Sequence, residues 1–242
     1  MNQAIDGSIR MKQGIRAVIA GCFFGFASSV AGVGDSSVCP AILVDIGTGT
    51  DTDRTLVCRG AAIARDFLAS HGIEVRKRIK LRLYHAALNA GDSHIGSYDS
   101  AKDRIDLLTF EQARRRASED PLFGMRMNES LYLSVVVHEV AHAIAGQNFQ
   151  IQPASLIAHE YIAYVAQLST MDVEARSQIL RRYHTRAFAG VEEMSTIYYA
   201  LDPSGFGVKA FRHYQSLSDP DLFIQGLISG AIVPASPDME WQ

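Results

Sequence analysis

Apolar Ile79, Leu81 and Leu83 alternate with Lys80, Arg82 and Tyr84, the period-two pattern of a strand with one buried face. Upstream, Ala41 to Asp45 is a short apolar run that reads as another strand, and the Gly/Thr/Asp cluster at 47 to 53 reads as a loop. Residues 55 to 71 carry Ala61, Ala62, Ala64, Phe67 and Leu68 at helical spacing and stop at His71-Gly72, which predicts a helix closed by glycine. Further on, Ser93 to Tyr98 and Arg104 to Phe110 flank Asp99-Ser100-Ala101-Lys102-Asp103 and predict a hairpin. The polar, arginine-rich stretch after it is helical until Asp120-Pro121 stops it. Arg114-Arg115-Arg116 is then a solvated helix face, and His71, His85 and His94 are loop or strand-end residues.

Asn128 caps the next helix and Gly146 terminates it. Within it Leu131, Val135, His138 and His142 fall on one stripe, so two imidazoles turn inward with the apolar side. After a loop containing Pro153, a second helix spans 155 to 169, and the remainder is helical at 171 to 187, 190 to 200, 206 to 216 and 220 to 229. Strands first and helices afterwards predict an α+β domain, with a small antiparallel or mixed sheet packed on a helix and a helical C-terminal half.

The segment before Gly32 changes this picture of one continuous fold. Arg10, Lys12 and Arg16 lead into an apolar run, Ala17 to Phe26, and then into Ser29-Val30-Ala31. That order matches a secretory signal peptide over 1–31, with cleavage after Ala31. Ile19-Ala20-Gly21-Cys22 is an alternative lipoprotein box, and an uncleaved anchor is a second alternative, though the run is short for a span. Residues 32–242 then form a single domain of about 210 residues, long enough for a substantial core. Without the leader the chain has 25 acids and 20 bases, a net −5, which argues against a nucleic-acid partner or an anionic membrane surface. Export, to the periplasm or outside the cell and with no lasting membrane insertion, makes a disulfide between Cys39 and Cys58 an expectation, with two buried free thiols as the alternative. Gly47 to Thr50 is glycine-rich but lacks the lysine and following helix of a phosphate loop, so it implies no nucleotide.

Candidate chemistry centres on His138-Glu139-Val140-Ala141-His142. Histidines four apart lie one above the other on a helix face and can share a tetrahedral zinc, while the glutamate between them can reach a water in the open coordination position. A catalytic zinc needs a third protein ligand. The metzincin pattern would supply a histidine at 148 after a glycine at 145, but Asn148 and Ala145 stand there. The following helix offers an acid, Glu160, which lies 18 residues beyond His142, and beside it a competing donor, His159.

With this pentad, its apolar surroundings (Val136, Val137, Val140, Ala141, Ala143, Ile144) and Glu160, the stretch from 79 to 165 resembles the gluzincin branch of the zincin metallopeptidases. The resemblance implies a zincin-like fold and a zinc ion (Zn2+) held by His138, His142 and Glu160. It implies Glu139 as general base and then proton donor, and a peptide or protein as substrate. The hairpin strand at 104 to 109 would bind an extended peptide through its main chain. The oxyanion-stabilising residue of that family has no assigned motif in this chain. Tyr164, Tyr183, His184, Tyr198, Tyr199, His213 and Tyr214 are all eligible. The expected activity is zinc-dependent amide hydrolysis by an exported protein. A different class of function competes with it, an exported binding or structural protein that keeps the zincin core without turnover.

Overall fold

A computed structural model describes residues 39, 44–46, 49–85 and 94–234. The signal peptide expected at 1–31, the start of the first strand and Gly47 lie outside the described residues. The chain runs β1 (Val44–Ile46), α1 (Asp51–Ser70), β2 (Ile79–Tyr84), β3 (Gly96–Asp99), β4 (Arg104–Leu108), α2 (Phe110–Glu119), α3 (Glu129–Gly146) and α4 (Leu156–Thr170). It ends with α5 (Val173–Arg182), α6 (Thr196–Leu201), α7 (Pro203–Ser216) and α8 (Pro220–Ser229). This is an α+β fold with the predicted order of strands and then helices, and with the predicted helix, α1, between the first two strands.

The sheet order is β1-β2-β4-β3. β1 pairs parallel with β2 and β2 parallel with β4, while β3 and β4 form the predicted antiparallel hairpin. β4 therefore has partners on both sides and no main-chain groups left for a peptide, contrary to the expectation for strand 104 to 109. On the β4 side of the sheet the edge strand is β3, and on the other it is β1. Ile79, Leu81, Leu83, Ile105 and Leu107 are buried on the helix side. On the outer side Arg82 and Arg104 both bind the Asp106 carboxylate, a one-sided amphipathic sheet of the kind the alternation at 79–84 predicts.

Helix α1 starts at Asp51, inside the predicted loop, because Thr50 and Asp53 cap it reciprocally. Thr50 Oγ1 accepts from the Asp53 amide at 3.1 Å, and Asp53 Oδ2 accepts from the Thr50 amide at 3.0 Å. The buried Asp53 also accepts the amide of Phe110 through Oδ1 at 2.8 Å, tying the starts of α1 and α2 together. At the other end His71 is no plain loop residue. It is the buried C-cap of α1, bonded through Nδ1 to the Phe67 carbonyl and through Nε2 to the Tyr214 hydroxyl, each at 2.8 Å. Since a carbonyl only accepts, Nδ1 carries the proton and Nε2 accepts from Tyr214, which anchors α7 against α1.

Helices α3 and α4 are buried on most of their surface: Tyr132, Val136, Val137, Val140 and Ile144 lie in the core along with Leu131 and Val135. The predicted stripe was thus too narrow, and α3 is a core helix with polar groups set into it. Asn128 caps it as predicted, accepting from the Leu131 amide at 2.8 Å. Gly146, in contrast, is not the stop but the last helical residue, before Gln147. A β-carbon there would sit 2.8 Å from Tyr98 Oη, so glycine serves close packing against β3. Two of the C-terminal helices are shorter than predicted: α5 ends at Arg182, and the 190 to 200 helix is reduced to a 3-10 turn and α6. Helix α7 starts three residues earlier than predicted, and α8 has its predicted bounds. Cys39 and Cys58 form a disulfide that fastens the start of the fold to α1. Among the described residues no helix is long and apolar enough to cross a membrane.

Candidate metal centre

His138 and His142 stand one turn apart on α3, and α4, capped by Ser155, brings Glu160 opposite them. The Nε2 atoms of the two histidines are 3.0 Å apart. Glu160 Oε2 lies 3.6 Å from His138 Nε2, and Oε1 lies 3.6 Å from His142 Nε2. Zinc bonds of about 2.0–2.2 Å at the tetrahedral angle put neighbouring donors about 3.3–3.5 Å apart. The histidine pair and each histidine-to-carboxylate separation match that spacing to a few tenths of an ångström, with a different Glu160 oxygen facing each ring. Hydrogen bonding accounts for only one edge, because 3.6 Å is too long for it. Glu160 Oε2 and His138 Nδ1 are buried with no hydrogen-bond partner, and a stranded carboxylate oxygen at such depth is costly unless a cation meets it. The residues fit a divalent metal, and the three form a group able to hold one.

The charge states suit the same purpose. Burial lowers His142 to about 3 in spite of Glu160, so its ring is neutral with a free lone pair. On Glu160 burial works upward, but His142 and His138 outweigh it and hold the carboxyl at about 2. On His138 burial works downward, and Glu160 more than offsets it, so this ring stays above its ordinary value. His159 lies outside the donor triangle. Its ring packs on Phe149 at 4.5 Å between centroids, and burial lowers it to about 4.

Glu139 projects beside the triangle into a cleft of about 780 Å³. Burial pushes its carboxyl up to about 7, against the pull of His138. Gly96 of β3 faces it: a β-carbon there would come 2.7 Å from Glu139 Cγ. Residues Ile95 to Tyr98 form one wall of the cleft, so the free sheet edge runs alongside the metal position. Tyr98 lies parallel to the His142 ring at 6.4 Å, held by its hydroxyl on Asp103 at 2.8 Å.

A family model described as a family of unknown function (DUF6639) matches residues 44–237. The chain belongs to that family. The match contains every described strand and helix and all residues of the candidate site. Comparisons with curated proteins and with solved structures give no match.

Of the seven residues eligible to stabilise an oxyanion, Tyr164, Tyr183 and Tyr199 line the cleft. His213 and Tyr214 are engaged elsewhere, with Tyr161 and His71 respectively, and Tyr198 packs on Phe188 and Phe206. Tyr164 stands edge-on to the His138 ring at 4.6 Å, a packing role. Burial and the charges of Glu160 and Glu139 raise the Tyr199 phenol, which therefore keeps its proton beside the donor triangle. Sequence reasoning did not single out Tyr199, Tyr98 or Gly96. Their only signal is tertiary proximity, although a glycine between Ile95 and Ser97 in a predicted strand is a cue for close approach.

Proposed function

We propose that this protein is an exported zinc peptidase of gluzincin type, with His138, His142 and Glu160 as metal ligands and Glu139 as general base. The three donor separations, read together with Glu139 in an open cleft beside them, carry the reading. Two imidazoles and a carboxylate are a catalytic zinc set that leaves a coordination position for water. Zinc, when bound, supplies a Lewis acid that acidifies water and polarises a carbonyl. Glu139 takes the proton from the attacking water and delivers it to the leaving nitrogen, and a carboxyl titrating near 7 can do both at neutral pH. Tyr199 presents a hydroxyl proton from the facing wall.

The β3 edge beside the donors supports an extended peptide as substrate, aligned by main-chain hydrogen bonds to residues 96–98. Leu122, Leu156 and Leu201 line the cleft, and no lysine or arginine is found among its described lining residues, whereas Asp120 and Asp202 are. Peptides with apolar or basic side chains around the scissile bond fit this lining, and acidic ones do not. The disulfide supports an oxidising compartment and hence export. An open cleft with a positioned, strongly perturbed carboxyl favours turnover over a purely structural zinc site, which is normally closed by four protein ligands.

The test is elemental analysis of protein purified without chelator, together with hydrolysis of a peptide library. One zinc per chain and cleavage lost in Glu139→Gln with the zinc retained are the expected results. Absence of stoichiometric metal would overturn the metal centre, and loss of zinc in Glu139→Gln would overturn the base assignment.

A further inference from the structure

Ser134, Gln167 and His138 are polar groups set into the contact between α3 and α4. Ser134 and His138 stand one turn apart on α3, and Gln167 lies on α4 and is buried, as is Ser134. Polar groups at this depth are expected to be paired, and the hydrogen bonds present determine which pairing remains.

The Ser134 hydroxyl donates its single proton to the Leu131 carbonyl at 2.7 Å. Toward Gln167 it can then only accept, and Gln167 Nε2 donates to it at 3.2 Å. This orients the amide. The opposite rotamer would set Oε1 against an oxygen whose proton is already committed. Gln167 Oε1 is left buried without a partner, and so is Nδ1 of His138. Gln167 and His138 both line the same cleft. One unpaired acceptor and one unpaired ring nitrogen thus lie buried at the same contact between α3 and α4.

We infer that Gln167 is a positioning residue for His138, its Oε1 accepting the Nδ1 proton so that the ring turns the Nε2 lone pair toward His142 and Glu160. The inference rests on the reading of that trio as a metal site. The other neutral tautomer would bring two lone pairs together between Gln167 and His138. It would also aim an N–H at the metal position. Ser134 sets the amide, the amide sets the ring, and the ring presents the donor atom. A metal-binding histidine whose second nitrogen is left unpaired can rotate or shift its proton. A partner on that nitrogen lowers both costs.

Two measurements test this. The ring ¹⁵N shifts of His138 in metal-free protein, at a pH where the ring is neutral, report the tautomer directly, and the Nδ1–H form is expected. Zinc affinity, measured by chelator competition, is expected to fall roughly 10- to 100-fold in Gln167→Met, which keeps length and volume but removes the amide acceptor. In Gln167→Glu, which retains an acceptor, affinity should stay within a few-fold of the parent or tighten. The Nε2–H form in the parent protein would overturn the proposal, as would parental zinc affinity in a folded Gln167→Met variant. A parent that binds no zinc overturns the metal reading, while the tautomer still decides the role of Gln167.

Discussion

Gly96 and Glu139 share one space: a β-carbon at 96 would lie 2.7 Å from Cγ and 2.8 Å from Oε1 of Glu139. The edge strand thus sets where the carboxylate of α3 points. A real β-carbon does not tolerate such distances, so either the strand or the carboxylate must move. Gly96→Ala is expected to lower kcat by about 100-fold through misplacement of the base. Zinc content should be unchanged, because the three atoms nearest that position all belong to Glu139 and none to a ligand. Steady-state kinetics and metal analysis on one preparation check this, and an alanine variant with parental kcat would show that Glu139 does not need its present orientation.

Glu160 and His159 are neighbours in sequence with different surroundings. Glu160 places one oxygen 3.6 Å from His138 and the other 3.6 Å from His142, while His159 packs against Phe149. Removing Glu160 leaves two ligands, so Glu160→Ala should lose stoichiometric zinc after dialysis. His159→Ala should retain one zinc per chain, with an effect on KM from its place in the cleft wall. The reverse pattern would transfer the third ligand to His159.

These contrasts show what the chain discloses by itself. The pentad is legible because a helix fixes the relation of residues four apart, and Glu160 because a second helix follows at short range. Strand order is not local. The hairpin makes β3 one neighbour of β4, but nothing in residues 104–108 says that β2 will take the other edge. The early start of α1 was hidden because an aspartate, Asp53, fills the capping-box position that glutamate or glutamine more often takes. Gln167 and Tyr199 have their places through contacts across the fold, which a single letter does not disclose, whereas Gly96 leaves a cue as a glycine inside a predicted strand.

Cys39 and Cys58 close a loop across 19 residues of sequence. Cross-linking a loop of that size restricts the unfolded chain by about 3 kcal/mol in the chain-entropy model. The double substitution Cys39→Ser, Cys58→Ser should lower the unfolding free energy by about that amount, read from denaturant midpoints at unchanged m. The candidate metal centre lies on α3 and α4, away from the bridge, so zinc stoichiometry should be retained in the folded variant. An unfolding free energy equal to that of the parent would indicate that the bridge does not constrain the unfolded chain.

Glu139 also makes the reaction sensitive to pH in a determinate direction. Burial raises its carboxyl from 4.5 to about 7 in the metal-free site, and a base works only when deprotonated. Activity should therefore rise with pH. A zinc ion beside the carboxylate favours its charged form and moves the midpoint down, so the acid limb of kcat/KM falls at or below about pH 7. Substituting the group removes the limb: Glu139→Gln should lose about 10²- to 10⁴-fold in rate, and its residual activity should be flat across the same interval. Zinc release at low pH could imitate an acid limb, because His138 and His142 must be deprotonated to bind metal. Measuring zinc content across the same pH series separates the two. A limb that follows metal loss, or one that survives in Glu139→Gln, would assign the titration to the ligands instead of the base.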